Sequence, residues 1–108
     1  MNEKFDNTIE FSEQERELIR LLDLDEKSQE STTLLDAWQA EQQLRRDAAP
    51  SGRLDVEINI RLAQIYLAAN RRNKAWEVLN DAMQQALNEE TDDLQLQIEG
   101  LMDEMEGV

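Results

Sequence analysis

The chain has 108 residues, a formal net charge of −14 and 40% hydrophobic residues, which suits one domain with a modest core. It holds no cysteine and no histidine, which removes a disulfide framework, thiolate or imidazole zinc sites, and the commonest nucleophile–base pairs. No apolar run approaches the roughly 20 residues of a membrane helix, and the start MNEKFDNTIEF lacks a signal-peptide pattern, so a cytoplasmic location is expected.

One proline and three glycines leave few helix breakers. Leu, Ala, Gln, Glu and Arg are plentiful, so an all-α fold of about five helices is expected. Residues 1–11 are mixed and read as a flexible N-terminus, with Phe5 and Ile9 spaced to form one apolar turn against a partner. Residues 12–108 read as a single helical domain.

Ser12 with Glu15 three residues on forms a capping box, and Leu18, Ile19, Leu21 and Leu22 give an apolar face, predicting a helix over 13–23. The polar stretch 23–31 reads as a connection. Ser31 or Thr32 is expected to cap a second helix, with Leu34, Leu35, Trp38 and Leu44 as its stripe through about Arg46. The segment AAPSG at 48–52 ends it, Pro50 biasing Ala49 away from helix and Gly52 supplying a turn.

A third helix is expected over 55–69, where Val56, Ile58, Leu62, Ile65, Tyr66 and Leu67 cover more than one face. Asn70 can close it in the left-handed conformation, and Asn73 is a candidate cap after a short turn at 70–73. A fourth helix over 74–88 carries Ala75, Trp76, Leu79, Ala82, Met83 and Ala86. Thr91, Asp92 and Asp93 open a fifth, over 92–106, with an apolar stripe of Leu94, Ile98, Leu101 and Met105.

Helices three and four form an antiparallel hairpin with small residues at the close approach. The order Leu62, Ala63, Tyr66, Asn70, Ala75, Leu79, Ala82 resembles the tetratricopeptide repeat, a helix–turn–helix unit of about 34 residues. The match covers about a third of the chain, at 56–88. Asn59, Asn70 and Leu87 depart from the family's Trp, Gly and Pro, and no second repeat is read upstream.

The resemblance implies a protein-binding module, an adaptor or chaperone-type protein, with no cofactor. One repeat does not bury its own surface, so 92–106 is expected to act as a capping helix and the two N-terminal helices to cover the other side. By position, the family's concave surface would present Glu57, Ile60, Gln64, Leu67 and Ala68. Ile60 and Gln64 stand where the family's carboxylate clamp has lysine and asparagine, which implies that this clamp is missing. The partner implied is a protein: an amphipathic helix or extended segment, or a second copy in a homodimer.

Charge is unevenly spread. Residues 1–36 carry −7, residues 37–74 carry +3, and residues 75–108 carry −10 with no base at all. This field repels nucleic acid and anionic membranes and suits a basic protein, or it is the solvated surface of a cytoplasmic protein. Arg71, Arg72 and Lys74 form a basic knob that meets an acidic partner, pairs with a neighbouring helix or faces water. The acidic end also admits a nucleic-acid-mimicking inhibitor, and a regulatory subunit of an assembly is a further alternative.

Adjacent acids such as Glu89 and Glu90 do not face one another on a helix, the 23–30 stretch lacks the glycine of a calcium loop, and no phosphate-binding glycine loop occurs. No enzymatic activity is expected. Trp38 and Trp76 are either core or interface anchors.

Overall fold

A computed structural model describes residues 10–106 of the chain. Phe5 and Ile9, and the flexible segment expected at the start, lie largely outside the described residues. Among the described residues five helices follow in order: α1 Glu13–Asp25, α2 Gln29–Ala48, α3 Gly52–Ala68, α4 Arg72–Glu89 and α5 Asp92–Glu106. Among the described residues there is no strand.

Local chemistry starts and stops these helices. The capping box is present: the Ser12 hydroxyl accepts from the Glu15 amide at 3.1 Å, and the Glu15 carboxylate accepts from the Ser12 amide at 3.0 Å. The connection expected at 23–31 is shorter than its polarity suggests. Ser28, not Ser31 or Thr32, caps α2 by accepting from the Ser31 amide at 3.1 Å. Ser31 is fully buried, and its hydroxyl donates to the Asp25 carbonyl at 2.7 Å, stitching the turn shut.

Ser51 caps α3, and Gly52 is the first residue of that helix instead of a turn residue. A Cβ there would meet the Glu89 carboxyl group, the far end of an exposed side chain that can move aside. An acid beside a helix N-terminus is favoured by the helix dipole.

Asn70 takes the left-handed conformation, φ 62°, as its short polar side chain allows. The Arg71 amide reaches back to the Tyr66 carbonyl at 2.9 Å and the Asn70 amide to Leu67 at 3.1 Å, a Schellman closure. The same bond pattern recurs at the end of α4, with Glu90 at φ 55° and the Thr91 amide on the Ala86 carbonyl at 3.1 Å. Because α4 begins at Arg72, Asn73 lies inside it and is not its cap; the preceding Arg71 makes no side-chain cap bond.

Helix α3 is the hub, with its backbone close to each of the other four helices. It forms an extensive hairpin with α4, and the alanines Ala63, Ala75, Ala82 and Ala86 are fully buried where such a pair must approach. Asn59 on α3 donates to Gln85 on α4 at 2.6 Å, a polar tie at the position where the repeat family usually has an aromatic side chain. Helix α5 lies on α4 and α3, burying Leu94, Ile98 and Met105. The α1–α2 pair packs on the other side, approaching α3 but neither α4 nor α5.

Trp38 is core, 1% exposed, and Trp76 is half-buried. The expected α2 stripe is corrected at Leu44, which is 68% exposed. One turn beyond Trp38 it is Gln42 that is buried, because a residue six positions on lies around the far side of a helix of 3.6 residues per turn.

Candidate functional site

Arginines of the central segment decide what surface remains. Arg61 on α3 grips the Glu15 carboxylate on α1 with two hydrogen bonds, Nη2 to Oε1 at 2.8 Å and Nε to Oε2 at 3.1 Å. Trp38 on α2 donates its indole N–H to the same Oε2 at 2.9 Å. Three helices thus meet on one buried carboxylate. Arg61 also donates to the Glu10 carbonyl at 2.7 Å and stands over the Phe11 ring, 4.8 Å from its centroid.

Burial by itself pushes the Glu15 carboxyl up. The Arg61 bonds, the Ser12 amide and the Trp38 indole together outweigh burial and hold it at about 2.

The other arginines work alike. Arg46 on α2 pairs with Asp55 on α3 at 2.9 Å. Arg53 on α3 grips Asp93 on α5 with two bonds, at 2.6 and 3.0 Å, and also reaches Glu57 at 3.2 Å. That grip holds the Asp93 carboxyl below its ordinary range and raises the Arg53 guanidinium.

Arg71 donates to the carbonyls of Leu22 and Asp23 at 2.8 and 3.2 Å, capping the end of α1, and lies 3.6 Å from Glu26. Arg72 donates to the Met105 carbonyl near the end of α5. The two adjacent arginines therefore diverge to opposite flanks of the fold. Arg71 is half-buried and Arg72 and Lys74 are exposed, and of the outcomes expected for this basic group Arg71 takes that of pairing with a neighbouring helix.

Between α3 and α5 lies an open cleft of about 230 Å³. Three of the expected residues line it: Glu57, Ile60 and Gln64. Ile60 is only 3% exposed and forms floor with Leu94, so it does not project toward a partner. Leu67 is half-buried against the core and does not line the cleft. Sequence reasoning missed Arg53, Arg61, Asp93, Leu94 and Gln97. The α3 members follow helical spacing, since 53, 57, 60, 61 and 64 fall on one stripe. That signal was readable, but the α5 wall depends on tertiary packing.

The cleft offers amides at Gln64 and Gln97, a carboxylate at Glu57, and the Arg53–Asp93 bridge joining its two walls. Among the described residues, no group of three or more His, Cys, Asp or Glu side chains is placed to hold a metal ion. Nor, among them, is any helix long and apolar enough to cross a membrane.

The acids of 75–108 within the described residues are all exposed: Glu77 and Asp81 on α4, Glu89 and Glu90 at its end, and the six on α5. Of these only Asp93 is ion-paired. Compared with protein-family models, curated proteins and solved structures, the chain finds no significant match in any of the three.

Proposed function

We propose that this protein is a small tetratricopeptide-like binding module, an adaptor or chaperone-type protein without enzymatic activity, that holds a basic segment of a partner protein. The observation that carries this reading is the cleft between α3 and α5, in which Glu57, Ile60 and Gln64 of the hairpin meet Asp93, Leu94 and Gln97 of the last helix. The cleft suits an extended or amphipathic segment, with amides for its backbone, while its acids Glu57 and Asp93 are paired with Arg53, so preference for a basic segment comes from the acidic surface around it. The surrounding field is acidic because the chain carries a net charge of −14 and residues 75–108 hold acids with no base among them.

Affinity capture from the native cell at graded salt tests it. A partner should be recovered in stoichiometric amount, and the reconstituted complex should lose affinity in the double variant Gln64→Lys/Gln97→Lys. Recovery of no stoichiometric protein at any salt concentration sinks the reading.

A second reading, an inhibitor that presents carboxylates in place of nucleic-acid phosphates, draws support from the exposed and mostly unpaired acids of α4 and α5. Such a protein competes with DNA or RNA for its target and loses binding steeply with salt. If neutralising Asp92, Glu99, Asp103 and Glu104 leaves partner binding unchanged, that reading fails.

A further inference from the structure

The outward face of α5 carries a combination that the fold itself does not use. Around the helix, Asp92, Leu96, Glu99 and Asp103 share the side turned away from the buried stripe of Leu94, Ile98 and Met105. Gly100 lies beside them, between this face and the row of Asp93 and Gln97 that lines the cleft.

Two of these residues stand out among the acids of this face, although an exposed leucine alone is ordinary and Leu24 and Leu44 are as open as Leu96. Leu96 is 68% exposed. Gly100 is inside a helix, where glycine costs about 0.5–1 kcal/mol relative to alanine. Nothing lies within 4 Å of where its Cβ would be, so no packing inside the molecule requires it. A bare backbone one turn after an exposed leucine is what a second helix needs to approach closely, with Leu96 as its apolar contact.

Charge decides what kind of helix that is. Asp92, Glu99, Asp103 and Glu104 are exposed and make no ion pair among the described residues. No base occurs anywhere in 75–108. A second copy of the chain does not complement this face. Its α5 repels its like, and its bases outside ion pairs, such as Arg16, Lys27, Arg45 and Lys74, are scattered over different elements.

We infer that the outward face of α5 docks a basic amphipathic helix of a partner protein, with Leu96 and Gly100 at the contact and Asp92, Glu99 and Asp103 around it. This goes beyond the cleft, which is a different surface, and the two fail separately.

The test uses the whole chain and a roughly 18-residue Lys/Leu peptide that forms an amphipathic helix of about five turns. Binding is measured by titration calorimetry and mapped by amide chemical shifts. The peptide should bind with shifts centred on Leu96 to Asp103. Leu96→Ser and Gly100→Gln should each weaken it by about tenfold or more, a loss of about 1.4 kcal/mol. Both positions are exposed, so circular dichroism should show the fold retained. The control Glu77→Gln/Asp81→Asn, on α4, should change affinity by less than about threefold.

Unchanged affinity in both α5 variants overturns the inference. So does a loss in the α4 control equal to that of Asp92→Asn/Asp103→Asn, which means diffuse attraction alone. Peptide shifts confined to Gln64 and Gln97 also overturn it while leaving the cleft reading intact. A dimer in sedimentation that Leu96→Ser dissociates assigns the face to a second copy and overturns it as well.

Discussion

The Arg61 guanidinium and the Glu15 carboxylate are joined by two hydrogen bonds, at 2.8 and 3.1 Å, across 46 residues of chain. The same carboxylate caps α1 and receives the Trp38 indole. Glu15 therefore links helix initiation to the docking of α1 and α2 on α3. Glu15→Ala should lower stability by about 2–3 kcal/mol, since it removes a cap and leaves a partly buried guanidinium without its acid. Trp38→Phe, which removes one donor from the carboxylate, should cost about 1 kcal/mol through that bond. A double-mutant cycle in urea should show coupling between the two positions, and additivity would mean the node is not a unit.

Glu15 also sets a pH dependence. Its folded pKa is about 2 against an ordinary 4.5, so the folded state holds this proton less tightly than the unfolded state. The stabilisation is present in full above the unfolded value and is lost as pH falls from about 5 toward 2, with an upper bound of about 3 kcal/mol. Neutralising the other acids on acidification relieves self-repulsion and acts in the opposite direction. The comparison that isolates Glu15 is with Glu15→Gln. The stability gap between the two proteins should be largest near neutral pH and close as pH approaches about 2–3. A gap independent of pH would refute the assignment.

How far the sequence anticipates this structure depends on the range of the interactions. Signals carried within one turn are legible: the Ser12–Glu15 box, Asn70 as helix terminator, and the α5 stripe. Those read by residue type without strict geometry mislead, as when Leu44 is counted with Trp38 although six positions separate them. Polar content misleads likewise at the first turn, where Ser31 is buried because its hydroxyl has a carbonyl to bond. Least legible are the arginine links between helices, most of which join residues 33 to 51 positions apart. One trace of them is present. A +3 block stands between −7 and −10 blocks, and the fold uses it to hold both acidic flanks.

Arg71 and Arg72, neighbours in sequence, should give different local signatures. Arg71→Met removes donors to the Leu22 and Asp23 carbonyls, so hydrogen exchange should accelerate in α1 with α5 little changed. Arg72→Met removes the donor to the Met105 carbonyl and should loosen the last turn of α5 while α1 stays protected. The Arg71 variant should lose about 1–2 kcal/mol of global stability, typical of charge-assisted bonds to otherwise orphaned carbonyls. Identical exchange patterns in the two variants would contradict their divergent placement.

Gly100→Ala should stabilise the free protein by about 0.5–1 kcal/mol, because α5 is regular there and a Cβ meets nothing. The thermal midpoint should rise accordingly. A fall would mean that the Gly100 site is not open in solution, and would remove the basis for treating it as a free helix face.

Salt should raise the stability of this protein. The links between helices include ion pairs that are partly or largely exposed, such as Arg46–Asp55 and Arg53–Asp93, and pairs of that kind are worth little apiece. Against them stands the mutual repulsion of a chain with net charge −14, whose acids crowd the outer faces of α1, α4 and α5. Screening acts on both, but the repulsions are more numerous and extend over distances comparable with the Debye length of about 10 Å at 0.1 M. The thermal midpoint at pH 7 should therefore increase from about 10 mM to about 300 mM sodium chloride. Arg61→Met, which deletes a link buried enough to resist screening, should be destabilised at both concentrations and keep the same upward slope. A midpoint that falls with salt would show that the exposed pairs outweigh the repulsion, and that the acidic surface is held in check by the fold itself without help from a basic partner.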